Sequence, residues 1–400
     1  MRVRAKRFLS AALPAAASAA AYALTFPPTN FRLLAWVALV PLFVAIRRGG
    51  LWQALFVAWL WCVVGSYVAG DWFPRSVAAY FHQSLLVATA LFALVYTAMT
   101  APYFMAFAAA YRALSRRFQL LLPLLSAAAW VAAELGRGRL FTATPFFIGN
   151  PWGLAGYAQA GFLPLAQIAS VTGIYGVSFA VVCVNAAVTE LWLALRDPQR
   201  PTRRALVGLG FGALPALAAL LYGQLALLGA ERVHPTSPAT KIAIVQGNLD
   251  VGSRWRSDLY GRNLEVYLRL TLEAGEADRP AIVFWPEAAM TFFLEDEPLY
   301  QKAIGRVLSQ GGAELIAGGP RVVGPDPPVY FNSIYAIAED GSIRGRYDKE
   351  YLVPFAEYFP FGIDVLKRRF GRIRVFDRGQ ATGPLPTRAG PAGVLVCNEA

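Results

Sequence analysis

Three short stretches in the second half of the chain each set one reactive side chain at the end of a strand-like run: Trp285-Pro286-Glu287, Asp348-Lys349-Glu350 and Val396-Cys397-Asn398-Glu399. A carboxylate, an ammonium and a thiol are the groups that acyl transfer requires. A thiol attacks an acyl carbon well only as the thiolate, so Cys397 needs a base to take its proton, and Glu287 is a group of that type. The oxyanion formed by the attack needs a cation, and Lys349 is a group of that type. Taken singly, each motif has a plainer reading. Glu287 would be a solvated carboxylate, Lys349 a surface ion pair with its acidic neighbours, and Cys397 a core thiol after Val394-Leu395-Val396. Their joint occurrence favours a shared site, because ligands of α/β sheets bind beyond the carboxyl ends of the strands.

The elements around them read as an α/β domain. After a linker at His234–Pro238, Lys241–Gln246 forms a buried strand, and a helix follows over about 257–276. The apolar run Ala281–Trp285 leads to Glu287, a helix covers about 298–310, and a strand Glu314–Ala317 is closed by Gly318-Gly319. Ser333–Ala338 and Ser342–Tyr347 flank Glu339-Asp340-Gly341, a hairpin signal that leads straight into Lys349. Leu352–Gly362, rich in proline and aromatics, reads as an active-site loop facing lipid or an acyl chain. The chain stops at Ala400 with no further strand or helix to cover that edge. The expectation is a catalytic domain truncated at its C-terminus.

The first half has a different character. Hydrophobic residues make up 56% of the chain and charged residues 16%, with a mean hydropathy of +0.43. The apolar residues concentrate in runs over 8–25, 32–46, 51–69, 84–110, 118–135, 171–195 and 205–230, about seven candidate membrane spans, the second interrupted by Pro41. The expected organisation is a transmembrane helical domain over 1–230, a linker over 231–240 and a catalytic domain over 241–400. Basic residues sort by alternate connections: Arg2, Arg4, Lys6 and Arg7; Arg47 and Arg48; Arg112, Arg116 and Arg117; Arg196, Arg200, Arg203 and Arg204. The positive-inside rule makes those segments cytoplasmic, and seven crossings then leave Thr240 onward outside. An uncleaved first span is preferred to a cleaved signal peptide because further spans follow closely.

The formal net charge of +12 does not call for nucleic acid, since the cytoplasmic loops account for many of the arginines. His82 and His234 are too few and too scattered for a metal site or a histidine triad. Cys62 and Cys183 lie in apolar runs as ordinary buried thiols, whereas a single thiol on an oxidising side of a membrane is a candidate for reactivity. Glu134 and Glu190 are expected near the interface or inside the bundle. Asp71-Trp72-Phe73 and Asn150-Pro151-Trp152 are expected as interfacial anchors.

Taken together, Val245-Gln246-Gly247-Asn248 with Trp255 downstream, Phe284-Trp285-Pro286-Glu287, Asp348-Lys349 followed by Leu352-Val353-Pro354-Phe355-Ala356-Glu357-Tyr358, and Val396-Cys397-Asn398-Glu399 make the chain resemble the apolipoprotein N-acyltransferases. These are membrane proteins with a nitrilase-like domain of α-β-β-α architecture outside the cytoplasmic membrane. The resemblance implies Glu287 as general base, Lys349 as the oxyanion-stabilising cation and Cys397 as the nucleophile that becomes a thioester. It further implies Glu357 as a supporting carboxylate near the lysine, and Trp255 and Glu399 as residues near the site that assist activity. Tyr358 stays open between packing and substrate contact. Asn398 departs from the family pattern, standing where an aromatic residue is expected, and the remainder of a nitrilase fold and a final membrane helix are not in the sequence.

The implied reaction is N-acylation of the diacylglyceryl-cysteine of apolipoproteins from a phospholipid donor, with no cofactor and no metal. The expected partners are the phospholipid donor, the diacylated acceptor and membrane lipids, and the expected location is the inner membrane, with the catalytic domain on its periplasmic side. Compartment alone points the same way, because outside the membrane neither ATP nor coenzyme A is at hand and a preformed ester must supply the acyl group. Two alternatives stay open: a membrane-tethered nitrilase-type amidase that passes the acyl group to water, and a transporter with an extracellular ligand-binding domain. The second predicts charged residues lining a pathway through the spans, which hold very few.

Overall fold

The computed structural model describes the chain apart from residues 1, 71, 81–82, 141–148, 231–238, 250–255, 354–356, 359–374, 381–382 and 400; for residues 2–9, 80 and 398 it describes the backbone only. Two compact units divide it, Met1–His234 and Pro235–Ala400.

The first unit is helical. Its elements are α1 (Arg2–Ala23), α2 (Val40–Arg48), α3 (Leu51–Ala69), α4 (Trp72–Tyr80), α5 (Leu85–Met99), α6 (Ala101–Arg117), α7 (Leu122–Arg139), two single turns α8 (Leu163–Ala166) and α9 (Ala169–Thr172), α10 (Ile174–Arg196) and α11 (Thr202–Ala230). By length and composition α3, α10 and α11 can each cross a membrane, and a fourth crossing results if α5 and α6 count as one bent span. Of the other expected spans, α1 is built largely of alanine and α7 carries Glu134, Arg137 and Arg139.

The expected span over 32–46 is not one helix. It consists of a 3-10 turn at Arg32–Trp36 followed, after a break, by the nine-residue α2, about 13 Å long against a hydrocarbon core of about 30 Å. Pro41 is the physical reason, since it lacks an N–H and sits in the first turn of α2. Backbone groups freed by the break find buried side chains. Asn185 of α10 accepts from the Leu39 N–H at 2.9 Å and donates to the Ala35 carbonyl at 2.8 Å, and the Ser18 hydroxyl donates to the Ala38 carbonyl at 2.6 Å. Such substitution is what irregular backbone inside a bundle requires. The run over 84–110 likewise bends by 47° between α5 and α6, where Pro102 opens the second helix.

Buried rings of Phe43, Trp61, Phe104, Phe107, Tyr111 and Trp130 form the centre of this unit. Both expected acidic residues are inside and paired. The Glu134 carboxylate accepts from Trp130 Nε1 and from the Ala155 N–H, and Glu190 lies 3.1 Å from Arg47 and 3.8 Å from Arg200. Trp72 and Trp152, both exposed, pack their rings at a tilt of 56° with centroids 5.6 Å apart.

The second unit is built on a five-stranded sheet of order β1-β2-β3-β4-β5, formed by β1 (Ile242–Ile244), β2 (Ile282–Phe284), β3 (Glu314–Val323), β4 (Val329–Ile337) and β5 (Ile343–Asp348). Helix α12 (Tyr260–Asp278) joins β1 to β2 and α13 (Pro298–Gly311) joins β2 to β3. The first three strands are parallel and the last two pairings antiparallel. Side chains alternate across the sheet, as a period of two demands. Val283, Leu315, Tyr335 and Ile337 share one core with α12 and α13, and Ile282, Ile316, Ile334 and Ala336 share another with Leu385 and Val396. A small hairpin, β6 (Leu385–Thr387) with β7 (Gly390–Ala392), precedes the nucleophile candidate.

Two expectations change here. The strand from Glu314 does not close at Gly318-Gly319 but runs through both to Val323. The glycines serve close approach instead: a Cβ on Gly318 would lie 2.7 Å from the backbone of Glu287 and Ala288, and one on Gly319 would lie 2.9 Å from Met290. Val394–Val396 is not a sheet strand; it lies over the second core and ends in a 3-10 turn, Cys397–Glu399. Gly318→Ala should therefore push the Glu287 turn off β3 and destabilise the unit by about 1–3 kcal/mol. Gly393→Ala, where an added Cβ meets nothing within 4 Å, should leave the unfolding midpoint unchanged in the same denaturation series.

Candidate active site

Glu287 and Lys349 stand just past sheet strands, and Cys397 opens a 3-10 turn. Glu287 comes three residues after β2, and the turn that carries it is pinned to β3 by Trp285 N–H to the Ile316 carbonyl and Met290 N–H to the Gly318 carbonyl, both 2.9 Å. Lys349 directly follows β5, and its N–H donates to the Asn332 carbonyl of β4 at 2.9 Å. Its side chain is 1% exposed. An ammonium in such a place needs anionic partners, because an isolated charge loses most of its hydration on burial.

Glu357 and Glu287 supply them. The Lys349 Nζ lies 3.1 and 3.0 Å from the two Glu357 oxygens and 3.8 Å from Glu287 Oε1. Glu357 is fixed in turn by the Val353 N–H at 2.7 Å. Asn332 completes the group: its Nδ2 donates at 2.7 Å to Glu287 Oε1 and at 2.7 Å to Glu357 Oε1. One amide thus holds two carboxylates side by side around one ammonium, which offsets their mutual repulsion. Sequence reasoning missed Asn332 because it began this strand at Ser333. The available signal was a pair of polar residues, Asn332 and Ser333, within an apolar strand, and both prove buried and bonded. The Ser333 hydroxyl donates to Asp348, which is also paired with Arg321.

Cys397 is exposed, with a backbone φ of 56°. That is the left-handed region, which costs a non-glycine residue on the order of 1–3 kcal/mol and is held only where the surroundings impose it. Glu399 imposes it. One carboxylate oxygen accepts from the Glu350 N–H, the Tyr351 N–H and the Tyr347 hydroxyl at 2.7, 3.1 and 2.9 Å, and the other accepts from the Val396 N–H at 2.8 Å. The Cys397 turn is thereby clamped to the residues on either side of Lys349. Burial and the bond to Glu399 raise the Tyr347 phenol well above its usual range, so it remains the donor in that contact.

Glu287 and Cys397 line one cavity of about 300 Å³ with Phe284, Trp285, Ile316, Ile334 and residues 393–396. Lys349 does not line it and meets it through Glu287. Tyr358 is half-buried, with the Arg378 guanidinium 5.9 Å from its ring centre. Trp255 and most of the Leu352–Gly362 loop lie outside the described residues, as does the Asn398 side chain. Among the described residues no group of His, Cys, Asp and Glu could hold a metal ion.

The clamp gives a direct expectation. Hydrogen bonds to a charged group contribute about 1.5–3 kcal/mol each, so Glu399→Ala should speed amide exchange at 394–399 and 350–351 by at least about tenfold, a change of roughly 1.4 kcal/mol. Glu399→Gln, which keeps an acceptor oxygen, should show a smaller increase in the same hydrogen-exchange experiment.

Comparison with known proteins gives the chain its relatives. Residues 18–187 match the apolipoprotein N-acyltransferase N-terminal domain, and residues 241–400 match the carbon-nitrogen hydrolase family. The chain is 30% identical to the apolipoprotein N-acyltransferase of Geobacter metallireducens, across 97% of this chain and 72% of that one. It is 32% identical to that of Bradyrhizobium diazoefficiens, across 68% of this chain and 51% of the relative, and 31% identical to that of Pseudomonas syringae pv. tomato, across 88% and 65%. The chain therefore spans between about half and three quarters of the length of these relatives. With both halves matched in order, and a 30% identical relative covered over most of its length, the chain belongs to the apolipoprotein N-acyltransferase family.

Proposed function

We propose that this protein transfers an acyl group from a membrane phospholipid to the α-amino group of a diacylglyceryl-cysteine at the N-terminus of an apolipoprotein, through a thioester on Cys397. The observation that carries the reading is the common cavity of Glu287 and Cys397, with a buried ammonium 3.8 Å from the carboxylate. Glu287 takes the thiol proton, and the thiolate attacks the ester carbonyl carbon. As the tetrahedral intermediate collapses, the ester C–O bond breaks, and the lysophospholipid leaves with the proton that Glu287 returns. The neutral amine then attacks the thioester, the C–S bond breaks, and Glu287 again receives and relays the proton. An α-amino pKa of about 8 leaves a usable neutral fraction near neutral pH.

Lys349 acts as the cation that steadies the oxyanion, and Glu357 with Asn332 holds it in place. Glu399 assists by fixing the Cys397 turn, and supporting roles for Trp255 and Tyr358 rest on the family resemblance alone. We place the catalytic unit on the outer side of the cytoplasmic membrane, a reading supported by the arginines of alternate connections in the helical unit.

The full-length protein in liposomes with labelled phospholipid should show an acyl adduct on Cys397 by mass spectrometry, absent in Cys397→Ala. In Glu287→Gln, adduct formation should slow by about 100-fold to 10,000-fold. The adduct should pass to the amine of a diacylated lipopeptide. Release of free fatty acid alone would favour the amidase reading, and an intact, folded protein with no adduct would end the acyltransferase one.

A further inference from the structure

Asp348 stands beside Lys349 in the chain and does not pair with it. Side chains alternate along β5. Tyr347 packs with Ile334 and Val396, on the face where Glu287 and Cys397 line their cavity, and Asp348 turns to the opposite face. There it meets Ser333, its partner in the register of β4, whose hydroxyl donates to it at 2.6 Å, and Arg321 of β3, which donates at 2.5 Å. Only 20% of the Arg321 side chain and 15% of that of Asp348 are exposed. Each holds the other in place, because either one alone would be a largely buried, unpaired charge.

The pair ties together the three strands that support the site. Arg321 lies on β3 beyond Gly318, the glycine under the Glu287 turn. Ser333 follows Asn332 on β4, and Asp348 precedes Lys349 at the end of β5. Glu295, on the connection after Glu287, extends the network: it accepts from Arg346 of β5 at 2.6 Å and lies 3.7 Å from Arg321. Lys349 depends on these anchors more than its neighbours do. The Glu287 turn has two backbone bonds of its own to β3, and the Cys397 turn has the Glu399 clamp. Beyond the end of β5, the Lys349 backbone is held by its N–H to Asn332 and by the Gly379 N–H to its carbonyl, 2.9 Å each. The face to which its side chain points is decided by the last register pair, Ser333 with Asp348, because a slip of one residue exchanges the two faces of a strand.

We propose that Arg321 and Asp348 are positioning residues for Lys349: by locking Asp348 to the far face of the sheet, they aim the ammonium at the acyl-transfer face. The inference rests on the acyl-transfer reading above and adds to it two residues that touch no reacting atom. Loss of the pair removes the anchor of the last register pair, and the ammonium is then misplaced relative to the oxyanion it steadies.

The test separates an effect on the cation from an effect on the thiol, in the full-length protein in liposomes. Acylation of Cys397 by labelled phospholipid develops an oxyanion. Alkylation of the same sulfur by iodoacetamide expels iodide from a saturated carbon and develops none. Peptide mass spectrometry reads both rates at Cys397. In Arg321→Met, acylation should slow by about 10- to 100-fold, the cost of misplacing a catalytic group by up to about 1 Å, while alkylation stays within about twofold of wild type. Arg321→Lys, which keeps a cation opposite Asp348, should recover most of the loss. Asp348→Asn, which keeps an acceptor for Ser333, should show the same split and serves in place of Arg321→Met should that variant not fold. Arg269→Met, which removes an exposed ion pair with Glu273 on α12, should change neither rate. Unchanged acylation in a folded Arg321→Met or Asp348→Asn, or acylation and alkylation falling together, would overturn the proposal. No acylation of the wild type would instead end the acyl-transfer reading itself, and this inference with it.

Discussion

The second unit is organised around the cost of burying one ammonium. Lys349 is almost entirely out of water, and no single carboxylate in a protein interior reliably repays that loss. Three otherwise distant segments therefore converge on it: the turn after β2 with Glu287, the loop after β5 with Glu357, and the middle of β4 with Asn332. Two carboxylates to one ammonium leave the group formally negative by one, a state the Asn332 amide helps to sustain.

Backbone conformation carries the same logic one level down. Asn248, Ala288 and Cys397 all adopt positive φ without being glycine, the first two shortly after β1 and β2 and the third at the nucleophile candidate. Glycine appears instead where another backbone must come close, at Gly318 under the Glu287 turn. Strain of this kind is tolerated only where neighbours over-determine the position, and the bonds from β3 to the Glu287 turn and from Glu399 to the Cys397 turn do so. The helical unit solves a related problem, using Asn185, Ser18, Glu134 and Arg137 to satisfy backbone where helices break.

Much of this was legible in the sequence, and the omissions have identifiable causes. The alternation of strands and helices after Lys241, the hairpin that presents Lys349 and the apolar character of α3, α10 and α11 follow from periodicity and turn chemistry. Periodicity is blind to what proline does inside an apolar run, so Pro41 and Pro102 turned expected single spans into broken ones. Gly318-Gly319 read as punctuation because a sequence shows that a glycine is permissive but not which backbone will approach it. Asn332 escaped because its meaning lies in two carboxylates, one 45 residues upstream and one 25 downstream. The apolar run before Cys397 was read as a strand, and the same residues instead serve as a lid on the second core.

The segment that carries Cys397 is tied down on both sides. On one side the Arg388 N–H donates to buried Glu314 at 2.7 Å, and Arg388 also donates to the Gly312 carbonyl. On the other Glu399 grips Val396, Glu350 and Tyr351. An arm moored at both ends has no stroke. The sulfur is a fixed target, and anything that reacts with it must be brought to it. Selection would then act on the approach route, where the size and shape of an incoming group are felt before any bond is made.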